Sequence, residues 1–269
     1  VVAAVQAELP SNHYSFSMIH QSAIDDTDNA LVAADIIVTV GAGAAAKVMS
    51  LNPAAQLITS LITDSAFSSL AEKHYGSTRA AFAAGVSVIC LDQPVKRSIE
   101  LAKALMPEAR KAGLMLGPAS FQRADIFSDQ VKKAGMTSEI IKFTEADNPI
   151  LAIEPVLKKS DIFIPVPDSR LINIATAKWI LQLSYRYKVP VIAYSKAYIN
   201  GGALAAIYSS PENVGRQTAE LINNGDRIPS AGGSHRPAYY SVDFNRSVAA
   251  YLEIELKPKQ FYLDWLRTE

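Results

Sequence analysis

The chain has 269 residues, of which 49% are hydrophobic and 19% are charged, so it can form a folded core and is not intrinsically disordered. Its 26 Lys and Arg residues balance 26 Asp and Glu residues, and without a net positive charge it lacks the field that holds nucleic acid by its phosphates. The longest apolar stretches, 36–46 and 82–91, are shorter than the ~20 residues of a membrane-spanning helix, so no segment is predicted to cross a membrane.

Apolar β-branched runs bounded by Gly, Pro or Asp predict strands, and apolar residues at i, i+3 and i+4 predict helices. The predicted strands are 15–20, 35–40, 56–62, 86–91, 113–116, 139–143, 162–165, 191–194, 204–209 and 239–243. The predicted helices are 1–9, 42–51, 95–105, 126–134, 149–158, 173–188, 211–223 and 245–253. Their alternation predicts an α/β fold with parallel sheets that carry helices on both faces.

The number of predicted strands is large for one twisted sheet, so two lobes are predicted, with a boundary near residues 106–110. The sequence starts at Val1 without an initiator Met and without the basic and long apolar regions of a signal peptide, which fits a mature, trimmed or incomplete start. Since the first predicted element is a helix and a doubly wound sheet opens on a strand, we expect the first strand of the first lobe upstream of Val1. The single cysteine, Cys90, excludes an internal disulfide, and its apolar run predicts a buried, unreactive thiol.

Residues 41–46 (GAGAAA) follow a predicted strand, open a predicted helix and match the pattern G-x-G-x-x-G/A. Asp64 follows Gly43 by 64 − 43 = 21 positions, where a dinucleotide-binding fold places its ribose-binding carboxylate. The short helix after the motif and the position of the motif beyond the first strand favour a smaller ligand. A helix start can equally bind the carboxylate of an amino acid. An NAD site, a small-ligand site and packing alone are all open interpretations.

Small polar segments follow other predicted strands, where open α/β sheets bind ligands. They are 63–65 (TDS), 118–120 (PAS) and 167–169 (PDS), together with Ser195 and Tyr198. Asp168 is a candidate partner for the ammonium group of a ligand, but it could also cap the next helix. The aromatic residues Phe67, Phe121, Tyr194 and Tyr198 could line a pocket or belong to the core.

No catalytic arrangement is evident in the sequence. The four histidines lack metal-binding spacing, and there is no G-x-S-x-G motif for a serine nucleophile. We therefore expect a protein that is not an enzyme and that has no cofactor and no metal.

Several segments occur in the order of a known family. They are 92–94 (DQP), 112–118 (AGLMLGP), 162–168 (IFIPVPD), 189–195 (VPVIAYS), 201–204 (GGAL), 212–217 (ENVGRQ) and 242–245 (VDFN). In this order the chain resembles the substrate-binding proteins of ABC transporters, whose members include tryptophan- and tyrosine-binding proteins. The resemblance implies the type I periplasmic binding protein architecture, with two Rossmann-like lobes and a ligand cleft between them. Lobe one would comprise 1–108 and 197–238, and lobe two 109–196 and 239–269.

The resemblance also implies a function. The protein would be a monomeric, periplasmic or lipid-anchored component of an ABC importer that closes by a hinge motion on a small solute and hands it to an ABC permease. The solute would be an amino acid or a similar compound, aromatic ones included.

The resemblance also implies site residues. Carried over by position, Asp168 would face the solute's amino group, and Ser65 replaces the proline of the family's T-D-P segment. The candidate ligand-binding residues are Ala42, Gly43, Ala44, Thr63, Asp64, Ser65, Ser120, Phe121, Asp168, Ser195, Tyr198 and Gly202. A sensory module of the same fold and an NAD-dependent enzyme are the alternatives.

Overall fold

The computed structural model describes residues 1–10, 13–24, 29–118, 120–144, 146–168, 173–224 and 232–268. Ala119 and Ser169, which belong to two of the predicted polar segments, lie outside the described residues. Contacts within the chain divide it into two compact units. Unit 1 comprises 1–92 and 209–240, and unit 2 comprises 93–208 and 241–269.

Strands and helices alternate along most of the chain. The strands are β1 (Ile36–Val40), β2 (Gln56–Ile62), β3 (Val86–Cys90), β4 (Lys111–Leu116), β5 (Thr137–Lys142), β6 (Ile162–Pro165), β7 (Ile192–Ala193), β8 (Ala205–Tyr208), β9 (Ser234–His235) and β10 (Ser241–Phe244). The helices are α1 (Val2–Glu8), α2 (Asn29–Val32), α3 (Ala42–Leu51), α4 (Asp64–Tyr75), α5 (Thr78–Ala83), α6 (Val95–Leu105), α7 (Ala124–Lys133), α8 (Pro149–Leu157), α9 (Ile174–Tyr187), α10 (Ala197–Gly201), α11 (Pro211–Asn223), α12 (Arg246–Tyr251) and α13 (Lys259–Thr268).

Unit 1 contains a parallel sheet in the order β1-β2-β3-β9, with helices on both faces. Successive residues of a strand point to opposite faces. Leu57 therefore packs in a core with α3, α4 and α5, and Ile58 packs in a second core with α1 and α11. Because both faces are covered, the strands are apolar almost throughout.

Unit 2 contains the strands in the order β5-β4-β6-β7-β8-β10. An isolated parallel bridge between Phe163 and Val191 links β6 to the start of β7. All pairings are parallel except that of β8 with β10, which is antiparallel. Since β5 and β6 lie on opposite sides of β4, the strand order reverses at β4. In an open α/β sheet, the carboxyl ends of the strands at such a switch point form a ligand-binding crevice.

The α/β class and most predicted elements are confirmed, but the predicted strand at 15–20 is wrong. The segment has no regular secondary structure, and it pairs with no strand among the described residues. Alternating apolar residues favour an extended backbone, but a β-strand also needs an adjacent strand to which its backbone can hydrogen-bond. The sequence pattern also missed α2, α4, α5, α10, α13 and the two-residue strand β9.

The two units divide the chain at positions that differ from the expected lobe boundaries. Helix α6, expected in lobe one, packs against β6, β7, β8 and α13 of unit 2. Strand β8, also expected in lobe one, pairs with β7 and β10. The chain therefore passes from unit 1 to unit 2 after Asp92 and returns to unit 1 after Tyr208. Among the helices that the structure describes, none is long and apolar enough to span a membrane.

Candidate functional site

The turn between β1 and α3 depends on the backbone of Gly41. Its φ of 88° and ψ of 160° lie in a region that is open almost only to glycine. The Gly41 N–H donates to the Ser60 carbonyl at 2.8 Å, which fixes the turn to β2. Gly41 has no side chain that could cap α3. The backbone N–H groups of the first turn, at Ala42, Gly43 and Ala44, are therefore suited to bind an anionic group.

The side chain of Gln21 lies directly against Gly43. A Cβ atom built on Gly43 would lie 2.6 Å from Gln21 Nε2 and 2.8 Å from Gln21 Oε1. In a dinucleotide fingerprint, the second glycine allows the pyrophosphate to approach the backbone. Here an amide, which both donates and accepts hydrogen bonds, takes that place. Sequence reasoning missed Gln21, since no local pattern links it to the turn.

The end of β2 has an irregular backbone. Leu61 has a φ of 56°, and the pairing of β2 with β3 shifts register between Ser60 and Ile62. Bulges of this kind redirect the chain and are common beside functional sites. Thr63, the next residue after the strand, caps α4 by accepting a hydrogen bond from the Ala66 N–H at 3.3 Å.

Asp64 and Ser65 begin α4 beside this cap. Ser65 Oγ lies 3.4 Å from the Thr63 hydroxyl, and the Asp64 N–H donates to Asp92 Oδ2 at 2.6 Å. The Asp64 carboxylate stands in the first helical turn, where the helix dipole favours a negative charge. Of the predicted site residues, Thr63, Asp64 and Ser65 therefore lie together at the carboxyl end of the unit 1 sheet.

Cys90 ends β3 at the same edge of the unit 1 sheet and is buried, as predicted. Its Sγ atom lies 3.9 Å from Asp64 Oδ1 and 3.7 Å from Ser234 Oγ. Burial raises the pKa of the thiol to about 11, and the negative charges of Asp64 and Asp92 act in the same direction. The hydrogen bond with Ser234 opposes this shift only in part.

We expect Cys90 to react slowly with thiol reagents in the folded protein. At pH 8, a thiol with a pKa of about 11 is only about one-thousandth ionised, and the thiolate is the reactive form. Labelling with a chromogenic disulfide reagent should be slow at pH 8 and accelerate up to pH 10, with urea-unfolded protein as the control. Equally fast labelling of the folded and unfolded protein at pH 8 would contradict this expectation.

The best-defined polar pair of unit 2 is Ser120 with Asp168, on the loops that follow β4 and β6. Asp168 Oδ2 accepts hydrogen bonds from the Ser120 N–H at 3.0 Å and from the Ser120 hydroxyl at 2.9 Å. The Ser120 hydroxyl in turn accepts from the Gly117 N–H at 2.9 Å. Both residues are buried, with 1% and 2% of their surfaces exposed. The pair therefore ties together the two loops at the switch point of the sheet.

Asp168 does not cap the following helix, so that interpretation is corrected. Helix α9 begins at Ile174, and its cap is Asn173, which accepts a hydrogen bond from the Thr176 N–H at 2.9 Å. The buried Asp168 carboxylate belongs instead to the strand-end loop. It orients the Ser120 hydroxyl and places a negative charge at this edge of the sheet.

Phe121 continues the loop after β4, and its ring is partly exposed. Its exposed fraction is 36%, and Lys142 Nζ lies 4.5 Å from the centre of the ring. Phe67, by contrast, lies in the unit 1 core and stacks on Phe82 with ring centres 5.7 Å apart. Of the aromatic candidates, Phe121 is thus available at a strand end, and Phe67 is core.

Ser195 and Tyr198 follow β7. The Ser195 carbonyl accepts from the Tyr198 N–H at 3.1 Å. The Tyr198 hydroxyl lies 3.1 Å from that of Tyr194, and its ring is buried in the unit 2 core. Burial raises the pKa of Tyr198, and the hydrogen bond with Tyr194 opposes this shift. The Tyr198 phenol is therefore neutral at neutral pH and keeps its hydroxyl proton for hydrogen bonding.

Gly202 lies apart from the other predicted site residues of unit 2. It ends α10 in the left-handed conformation, with a φ of 111°. The chain then enters β8, and the Leu204 N–H donates to the Val191 carbonyl next to the start of β7. Gly202 therefore precedes the amino end of β8, whereas Ser120, Asp168 and Ser195 follow carboxyl ends. Its role in the described structure is that of a helix terminator.

Comparisons with known proteins agree with this architecture. The family model of the ABC transporter substrate binding protein matches residues 16–224. No curated protein matches the chain. A solved ABC domain in complex with L-Trp, from Streptococcus pneumonia, is 19% identical with a TM-score of 0.60, covering 97% of this chain and 92% of its own.

Two further solved structures have the same TM-score. A ligand-free, open substrate-binding protein with adhesive properties from Clostridium difficile is 20% identical, over 83% of this chain and 75% of its own. A conserved domain protein from Vibrio cholerae is 17% identical, over 86% and 76%. At these identities the likeness establishes the fold, which is that of the type I periplasmic binding proteins. With the family model matching most of its length, the chain belongs to the family of ABC transporter substrate binding proteins.

Proposed function

We propose that the protein is the solute-binding component of an ABC importer, that it acts outside the cytoplasm, and that it binds an amino acid or a similar small solute. Binding involves no covalent step, and the partner that receives the solute is an ABC permease. The observation that carries the proposal is the Ser120–Asp168 pair at the switch point of unit 2, in a chain of the substrate-binding family.

The chemistry of this pair suits a cationic group. Asp168 supplies a buried negative charge, and Ser120 supplies a hydroxyl that is already oriented by two hydrogen bonds. A group held in place before binding loses less entropy when the solute arrives. An ammonium group near this carboxylate would form a charge-assisted hydrogen bond.

The chemistry of unit 1 suits an anionic group. The start of α3 presents backbone N–H groups, and the Gln21 amide lies against the same turn. An amino acid carries one group of each charge, so each unit by itself offers chemistry that suits this class of solute. The solved structure from Streptococcus pneumonia is a complex with L-Trp, which supports an amino acid as the solute class.

A thermal-shift panel tests the proposal. The purified protein is heated with each standard amino acid, with short peptides and with NAD(H). A solute at one hundred times its Kd adds about 2.7 kcal/mol to the free energy of unfolding. In a protein of this length, that increment should raise the midpoint by several degrees. We expect such a shift with at least one amino acid.

The panel also contains the result that would overturn the proposal. A shift with NAD(H) and with no amino acid would indicate a nucleotide-dependent enzyme built on Gly41, Gly43 and Asp64. A dinucleotide would then have to displace the Gln21 side chain from Gly43. Gln21→Ala would strengthen the NAD(H) shift in that case and should have no such effect if the site binds a small solute.

A further inference from the structure

The sequence motif at residues 242–245 (VDFN) holds two side chains that face several other elements of unit 2. Asp243 accepts hydrogen bonds from the Tyr208 hydroxyl at 2.5 Å and from Lys259 Nζ at 3.0 Å, and Lys196 Nζ lies 3.8 Å away. Although burial alone would raise it, these hydrogen bonds hold the pKa of Asp243 below its usual range. The carboxylate is therefore charged at neutral pH.

Asn245 is the second side chain of the motif. Its Nδ2 donates to the Ile199 carbonyl in α10 at 2.8 Å, and its Oδ1 accepts from the Val248 N–H at 3.0 Å, which caps α12. Its backbone N–H donates to the Leu204 carbonyl at 2.9 Å. Asn245 thus holds α10 at Ile199 and also holds Leu204, the residue before β8.

That segment, 195–202, needs external support. Helix α10 has five residues and no side-chain cap at its start. Helices of this length are not stable on their own in water, because the cost of nucleation exceeds the gain from so few hydrogen bonds. The contacts from Asp243 to Lys196 and from Asn245 to Ile199 both reach this segment.

We propose that Asp243 and Asn245 are positioning residues for solute binding, which hold residues 195–202 so that Ser195 and Tyr198 keep their places at the end of β7. The inference rests on the proposed function, because it takes this strand end as part of the solute site. Neither residue needs to touch the solute. Each acts through the segment that it holds.

The test distinguishes the contacts that Asp243 and Asn245 make with residues 195–202 from those that they make with α12 and α13. Asn245→Asp keeps the oxygen that caps α12 but lacks the N–H that binds the Ile199 carbonyl. Lys196→Met and Lys259→Met each remove one cation from Asp243, but only Lys196 belongs to the segment. Each variant is titrated by calorimetry with the amino acid that shifts the wild-type protein most in the thermal panel. The Tyr198 signal of 3-fluorotyrosine-labelled protein is followed by ¹⁹F NMR and assigned with Tyr198→Phe.

We expect Asn245→Asp to raise the Kd about tenfold, the scale of one lost hydrogen bond, and to shift the Tyr198 signal. Lys196→Met should act in the same direction by a smaller factor, and Lys259→Met should leave the Kd and the signal unchanged. Unchanged Kd and signal in Asn245→Asp, or equal effects of the two lysine variants, would overturn the inference and leave the proposed function intact. A wild-type protein that shifts in the thermal panel with NAD(H) but with no amino acid or peptide would overturn both.

Discussion

Replacing Asp168 with alanine should weaken amino acid binding by about 2–5 kcal/mol, because the ammonium group of the solute would lose its charged partner in a desolvated site. Calorimetric titration of the wild type and of Asp168→Ala measures this difference. The expectation depends on the negative charge of the carboxylate, which lies at the switch point of the unit 2 sheet.

Asp168→Ala also removes the acceptor of two hydrogen bonds from Ser120, so a loss of affinity alone would not identify its cause. Buried donors that lose their acceptor cost about 1–3 kcal/mol each, and the variant should therefore also unfold at a lower temperature. Asp168→Asn separates the two effects, since its amide oxygen can still accept from Ser120 but carries no charge. We expect Asp168→Asn to lose most of the affinity and little of the stability.

Asp161 provides a matched control in the same sheet. Its Oδ2 also accepts two hydrogen bonds, from the N–H groups of Arg110 and Lys111 at 2.8 and 2.9 Å, but at the amino end of β4. Asp161→Asn should leave the Kd unchanged. If Asp168→Asn also binds with wild-type affinity, the carboxylate acts only by orienting Ser120, and the direct contact with the ammonium group is ruled out.

The parts of the fold that sequence could predict are those with a local pattern. Strands β2 and β3 are buried on both faces, so they read as short apolar runs. Helix α6 shows its apolar residues at helical spacing and was predicted with its observed bounds. Helix α4 had the signals of a cap at Thr63 and a terminator at Gly76, but its apolar residues are less clearly confined to one face than those of α6.

The parts that sequence could not predict depend on partners far away in the chain. Strand β9 has only two residues and forms because Ser234 and His235 pair with Val88 and Ile89. Ser234 lies 234 − 88 = 146 positions after its partner Val88. The contact of Gln21 with Gly43 has no local pattern either. In the site, Ser120 and Asp168 could be predicted because each follows a strand. Their mutual hydrogen bonds could not, because they depend on β4 and β6 being neighbours in the sheet.

Gly41→Ala is expected to lower the free energy of unfolding by about 1–3 kcal/mol, although the site has room for a methyl group. No atom lies within 4 Å of a Cβ built there, so steric contact with neighbours is not the cause. The cost comes from the backbone, whose φ of 88° and ψ of 160° are unfavourable for a residue with a Cβ atom. Urea denaturation measures the loss.

Gly43→Ala is the matched control two positions later, and the contrast between the variants tests the role of the turn. The three atoms nearest to its Cβ would all belong to the flexible end of Gln21, which can move, and alanine favours the helix by up to about 1 kcal/mol. Stability should therefore change little. If the turn binds the solute's carboxylate, Gly41→Ala should also raise the Kd, because a relaxed backbone turns the first N–H groups of α3 away. Equal stability losses in the two variants would show that the conformation of Gly41 is not what holds the turn.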